Sequence, residues 1–339
     1  MIQESRFRPA WWLPNGHWQT LYAAYFRRVP CPPLREETFE WPEGDRTRGF
    51  WSGTGRTGRA RATVLLLPGL EGGIRSPYIR GLLRRLVHDG HEVLVLPFRG
   101  SASNPACGRL TYHAGWTRDL EGVVGRLLTE DPERILAVVG FSLGGNMMLR
   151  WLATDPRADR IHQAIGVSIP FDLSCTAHGF RRGSGRIYER YLVAGLRRSA
   201  RRHLRSQGHP TLDVRGLRRL RTFLEFDDHY VAPLHGFQDA LDYYRQTSAR
   251  PILSRVRAPT LILQARDDPL IPPACLPRES EWGPATVFEW SEHGGHVGFI
   301  SGAWPLWGSA WLEERIAGVL SGLVRSPGNL SRSGRAPSC

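Results

Sequence analysis

The sequence predicts an α/β fold: a mostly parallel central sheet with helices on both faces and a helical cap inserted into it. Three observations carry this. First, the runs Ala62–Leu67, His91–Leu96, Ile135–Val139, Ala164–Ile169, Pro259–Gln264 and Ala285–Trp290 are rich in consecutive apolar residues, and several alternate with amphipathic segments. Strands apolar on both sides belong to parallel sheets covered on both faces. Second, the alternation stops between Phe171 and Arg250, a stretch too long for a structureless loop, so it reads as a cap. Third, Ile135–Val139 runs into Gly140-Phe-Ser-Leu-Gly144 and then into apolar residues at helical spacing. That reads as strand, sharp turn and helix, with Ser142 at the apex.

Taken in order, residues 1–58 read as an arm and an edge hairpin packed on the core. Phe7–Leu21 is aromatic and turn-rich, and its tryptophans need a larger body to lie against, on the core or near the mouth of the site. His17 there reads as a hydrogen-bonded structural histidine. Alternation from Glu37 to Trp51 suggests the hairpin. Residues 59–170 form the first part of the core: the strand ending at Leu67, a helix over Pro77–Asp89 stopped by Gly90, the strand ending at Leu96, a helix over Thr117–Leu128 and the Ser142 turn. Residues 171–250 are the cap and residues 251–325 the second part of the core, ending in a helix over Ala310–Val324. The Ser-, Gly-, Arg- and Pro-rich residues 326–339 read as a disordered tail.

Composition narrows the function classes. The chain of 339 residues has a formal net charge of +13, with 45 basic residues, all arginine. An all-arginine excess reflects coding bias as readily as nucleic-acid binding, and no nucleic-acid partner is expected. Much of the excess lies between Arg181 and Arg221, interleaved with Leu and Tyr, which reads first as a solvated helix face and second as a surface for anionic membrane. The five cysteines are scattered, with no Cys-x-x-Cys, which argues against a disulfide framework and for a reducing cytoplasm. The N-terminus lacks a signal-peptide layout and no apolar run reaches membrane-spanning length, so a cytoplasmic protein, at most peripheral to the inner face of a membrane, is expected.

A serine hydroxyl needs an adjacent base, itself oriented by a carboxylate. In this architecture the partners follow in the order Ser, acid, His, each after a strand. Asp267-Asp268 follows one buried strand and Glu292-His-Gly-Gly-His296 follows the next. His296 is the candidate base, because the surrounding glycines permit a turn aiming it inward. Asp268 is the candidate acid, since Pro269 stiffens the backbone after it, while Asp267 caps or braces the loop. His293-x-x-His296 also has the form of a zinc pair, but it lies in a glycine turn with no third ligand in view, so neither metal nor cofactor is expected. Oxyanion donors are expected from the backbone N–H of Leu143 and of Leu70, the latter on the turn Pro68-Gly69-Leu70.

The motifs Pro68-Gly-Leu-Glu-Gly-Gly73, Ser76-Pro-Tyr78, Pro97-Phe-Arg-Gly100, Tyr112-His113, Gly140–Asn146, Phe226-Asp-Asp228, Ala232–Phe237 and Asp242-Tyr-Tyr244 together resemble the YheT-type branch of the α/β-hydrolase superfamily, as does Trp12–Leu21. The resemblance covers nearly the whole chain. It implies the α/β-hydrolase fold and esterase activity, with animal relatives that are membrane-associated lipases or phospholipases. Where that branch usually has His-Gly, this chain has Pro68-Gly69. The expected function is hydrolysis of carboxylic esters, acyl or lipid-like, through Ser142, His296 and Asp268. Thioester hydrolysis or acyl transfer on the same residues is the alternative, and a non-enzymatic scaffold binding membrane or nucleic acid is the competing class.

Overall fold

The computed structural model describes residues 1–41, 45–53, 60–105, 108, 110–304 and 309–323. Its centre is a nine-stranded sheet in the order β1-β9-β8-β7-β6-β4-β5-β3-β2. The strands are β1 (Ile2–Glu4), β2 (Arg35–Glu40), β3 (Arg46–Ser52), β4 (Thr63–Leu67), β5 (Glu92–Val95), β6 (Leu136–Phe141), β7 (Ile161–Val167), β8 (Thr260–Ala265) and β9 (Thr286–Ser291). From β1 through β5 in that order every pairing is parallel, and β3 and β2 add an antiparallel hairpin at the far edge. β4 and β6 are buried along their whole length, which is why their sequences are apolar without alternation.

Both faces of the sheet are covered. On one, α3 (Arg118–Glu130) and α4 (Leu143–Thr154) place Leu120, Val124, Met148 and Trp151 against Leu65 and Val138. On the other, α2 (Pro77–His88) and the C-terminal helix Trp311–Leu320 place Ile79, Leu83 and Ile316 against Leu66 and Val139. Sequence order matters here: the chain passes from β4 to β5 on one side and returns to β6 on the other. Such a reversal leaves a crevice at the strands' C-terminal ends, and the loops after β4 and β6 meet in it.

Between β7 and β8 lies the cap. Its helices are α5 (Leu173–Gly179), the 23-residue α6 (Gly185–Gln207), the single turns α7 (Val214–Leu217), α8 (Phe223–Phe226) and α9 (Ala232–His235), and α10 (Ala240–Thr247). They form their own apolar cluster, built on Val193, Leu196, Phe226, Tyr230 and Tyr243, against which Leu70 and Leu143 of the crevice pack. Asn146 fastens this cluster to α4: wholly buried, it donates to the carbonyls of Ala114 and Thr247 and accepts from the amide of Ala249.

The cysteines require a correction. Cys175, on α5, and Cys275, after β8, form a disulfide that ties the cap to the loop carrying Asp268. They stand 100 residues apart in sequence with their Cα atoms 5.5 Å apart, so no local spacing could have signalled the pair. The cysteine-based argument for a reducing compartment therefore falls. Cys31 is an exposed free thiol. No helix among the described residues is long and apolar enough to cross a membrane. The proposed tail, residues 326–339, lies outside the described residues.

Candidate active site

Ser142 sits between β6 and α4 with φ 50° and ψ −121°, a strained conformation for a side chain with a Cβ. The glycines around it explain how the turn is tolerated. A Cβ on Gly140 would lie 2.7 Å from the Cα of Gly145, and one on Gly144 would lie 2.4 Å from the carbonyl oxygens of both Leu67 and Pro68. Strand, helix and the β4 loop thus converge at distances only hydrogen fits. The Ser142 amide donates to the carbonyl of Val167 at 2.8 Å, fixing the apex against β7.

Gly69 approaches from the β4 loop, where a Cβ would stand 3.1 Å from the Cβ of Ser142. Its amide donates to the hydroxyl of Tyr78 at 3.1 Å, and its carbonyl accepts from Gly72 at 2.9 Å, so the turn is held from both ends. Tyr78 packs at a tilt against Phe141, with ring centroids 4.8 Å apart. The amides of Leu70 and Leu143 have no acceptor among the described residues, and both residues line the cavity that contains Ser142. Leu143 opens α4, so the positive end of that helix faces the same space.

The histidine loop follows β9. His296 Nδ1 lies 2.9 Å from Asp268 Oδ2, and the Asp268 side chain is fully buried. Its other oxygen accepts from the amides of Leu270 at 2.8 Å and Ile271 at 3.2 Å, which orients the carboxylate. Asp267 points elsewhere: Oδ1 accepts from the amide of Gly295 at 2.9 Å, and Oδ2 lies 3.3 Å from His293 Nδ1. The two histidines of His-x-x-His therefore address two different carboxylates. The loop is conformationally unusual, with Gly294, Gly295, Val297 and Phe299 all at positive φ.

The N-terminal arm holds that loop in shape, a role its sequence did not disclose. α1 (Gly16–Leu21) packs so tightly that a Cβ on Gly16 would overlap the carbonyl of Asp267, and one on Gly295 would lie 2.3 Å from the carbonyl of Gly16. Thr20 Oγ1 accepts from the amide of His296 at 2.8 Å, and the buried Gln19 accepts from the amide of Ile300 at 2.7 Å. His17 hydrogen-bonds through Nδ1 to the hydroxyl of Tyr188 on α6, linking arm to cap.

Ser142, His296, Leu70 and Leu143 all line one cavity of about 960 Å³, roofed by the cap and walled at one side by α1. The cavity also holds groups outside the Ser–His–Asp constellation. Asp227 is buried and its carboxyl is pushed up to about 7 by that burial, although Tyr244 donates to it at 2.6 Å. Glu71, beside Leu70, is likewise raised by burial, with Ser199 donating to it at 2.5 Å.

A profile of the alpha/beta hydrolase fold matches residues 62–303. The chain is 36% identical over 314 residues to YheT of Escherichia coli (strain K12), a protein named as an esterase by inference, and the match covers 92% of each chain. The chain belongs to the α/β-hydrolase family, in its YheT branch. It is also 31% identical over 248 residues to a monoacylglycerol lipase of Saccharomyces cerevisiae, covering 71% of this chain and 55% of the relative. With the phospholipase ABHD3 of Homo sapiens it shares 26% identity, covering 88% of this chain and 75% of that one. Among solved structures, the esterase Pf2001 of Pyrococcus furiosus superposes with a TM-score of 0.56 at 18% identity, covering 88% of this chain and 99% of the other, a likeness of fold. The chain is thus an ester hydrolase of the α/β-hydrolase fold.

Proposed function

We propose that this hydrolase cleaves carboxylic esters through an acyl-enzyme on Ser142, with His296 as base and Asp268 as its orienting acid. The observation that carries the reading is the 2.9 Å contact between His296 Nδ1 and the buried Asp268 carboxylate. With Nδ1–H donating a hydrogen bond to Asp268, the imidazole keeps Nε2 free to take the proton of Ser142. Attack on the ester carbonyl forms the Ser142 Oγ–carbon bond, and the negative oxygen is received by the amides of Leu70 and Leu143. The tetrahedral species collapses as His296 returns the proton to the leaving alcohol. Water then repeats the sequence to release the acid. The Gly69–Tyr78 hydrogen bond supports Pro68-Gly69 as a working substitute for His-Gly, because the oxyanion donor is backbone. The apolar walls of the cavity, among them Leu173, Leu192, Phe223 and Val231, favour an acyl or lipid-like substrate.

Fluorophosphonate labelling tests the nucleophile. Wild-type protein should be labelled at Ser142, and Ser142→Ala should escape labelling and lose roughly 10⁴-fold or more of its ester turnover, with the fold unchanged by circular dichroism. Retention of a tenth of the activity would overturn the assignment.

A further inference from the structure

Large apolar side chains left exposed are not scattered over this molecule. Of the ten among the described residues, seven belong to residues 11–26, to the start of α6 or to the loop that touches them. Trp18, Tyr25, Ile187 and Tyr191 are each more than half exposed and at the same time line the cavity that holds Ser142, so they form its rim. Tyr25 and Tyr191 meet across the opening with ring centroids 5.9 Å apart. Outside the rim stand Trp11, Phe26 and Trp304, 73%, 66% and 68% exposed. They continue the same surface: the Trp11 indole donates to the carbonyl of Ala303, the Trp12 indole donates to that of Gly302, and Trp12, Tyr22 and Phe26 form a chain of ring contacts.

Exposed arginines stand beside this surface. Arg27, after Phe26, pairs with Glu313, but Arg28 beyond it does not, and Arg182, Arg186 and Arg190 precede or flank Ile187 and Tyr191; these last four are exposed, and none has a carboxylate within 4.0 Å among the described residues. A contiguous exposed apolar patch needs an occupant. Tryptophan and tyrosine flanked by arginine without a carboxylate partner is the composition that settles at the boundary between lipid headgroups and acyl chains.

We propose that this rim docks the enzyme on an anionic lipid surface, with the mouth of the Ser142 cavity facing the bilayer so that an ester substrate passes from lipid into the cavity without crossing water. Apolar side chains supply the insertion and the arginines supply the attraction to anionic headgroups, which weakens as salt shortens the screening length. This deepens the reading of Ser142 as an ester-hydrolase nucleophile and rests on it for the substrate, whereas the docking itself does not require catalysis.

The test uses the full chain with sedimented vesicles of phosphatidylcholine alone or mixed with phosphatidylglycerol, at low and high salt, beside hydrolysis of a water-soluble short-chain ester. Wild-type protein should bind the mixed vesicles at low salt, and binding should fall at least tenfold at high salt or on neutral vesicles. The triple variant Trp11→Ser, Phe26→Ser, Trp304→Ser replaces no cavity-lining residue. It should lose at least tenfold in vesicle binding while hydrolysing the soluble ester within twofold of wild type. Wild-type protein that stays off mixed vesicles at low salt, or a triple variant that binds them equally well, overturns the docking. So does a wild-type dimer on gel filtration that the triple variant converts to monomer without any vesicle binding, since the occupant is then a second copy. Vesicle binding as described with no Ser142-dependent ester cleavage supports the docking and refutes the catalytic reading instead.

Discussion

Replacing Asp268 by Asn separates orientation from mere presence of a polar group. The carboxylate makes two kinds of contact: Oδ2 faces His296 Nδ1 at 2.9 Å, and Oδ1 accepts from the amides of Leu270 and Ile271 at 2.8 and 3.2 Å. Asparagine has one oxygen and one NH₂ to place. With the oxygen toward His296, the NH₂ confronts two buried N–H donors, at about 1–3 kcal/mol for each donor left without an acceptor. With the oxygen toward the two amides, the NH₂ donates to Nδ1 and forces the proton onto Nε2, where it blocks acceptance from Ser142. The long 3.4 Å contact from Gln264 Nε2 to Oδ2 is too weak to reverse that preference. A bias of about 2–6 kcal/mol corresponds to a loss of between ~30-fold and ~10⁴-fold, the upper end matching loss of the correct tautomer. Asp267→Asn has no such conflict, because its oxygen can still accept from Gly295 while its NH₂ meets His293 Nδ1. Its cost should stay below tenfold. The assay is kcat/KM on a soluble short-chain ester for both variants, with thermal unfolding to confirm equal folding. A larger loss in Asp267→Asn than in Asp268→Asn would refute the reasoning and move the orienting role to Asp267.

Gly144→Ala places a Cβ 2.4 Å from the carbonyl oxygens of Leu67 and Pro68, pushing the β4 loop away from α4, and should lower kcat by about 10²-fold with helix and strand content retained by circular dichroism. Reducing the Cys175–Cys275 disulfide, which closes a loop of 100 residues, should lower unfolding stability by roughly 2–4 kcal/mol, read as a fall in melting temperature with reductant that Cys175→Ser reproduces without it. Asp227 carries its proton in the folded state up to a pKa of about 7, against 3.8 for an ordinary aspartate, so stability contributed by the protonated group is present at low pH and lost as pH rises between those values. Asp227→Asn, which keeps an oxygen for Tyr244, should match wild type near pH 4 and exceed it at pH 8 by up to ~4 kcal/mol in urea melts.

What the sequence discloses follows from how local the governing physics is. β4, β6, β7 and β8 lie in a buried parallel sheet, so their apolar runs are visible without tertiary knowledge. The Ser142 turn is visible because close approach of backbones demands glycine at fixed offsets. β1 is not visible: its three residues become a strand only by pairing with Phe288, Glu289 and Trp290 at the other end of the chain. The cap's single turns α7, α8 and α9 are too short to establish a period, even though Asp213 and the Thr222–Glu225 capping box start α7 and α8 and Gly236 ends α9.

The arm is the most consequential case, because its polar residues carry no hydrophobic pattern and act only through what they touch. α1 places Trp18 at the mouth of the cavity while its next two residues, Gln19 and Thr20, hold the amides of Ile300 and His296. Six residues therefore join the substrate's entrance to the backbone of the candidate base. The histidine loop, with Val297 and Phe299 at positive φ, stores strain that the arm's hydrogen bonds and close packing oppose. The mouth of the cavity and the backbone of His296 are thus held by the same short helix.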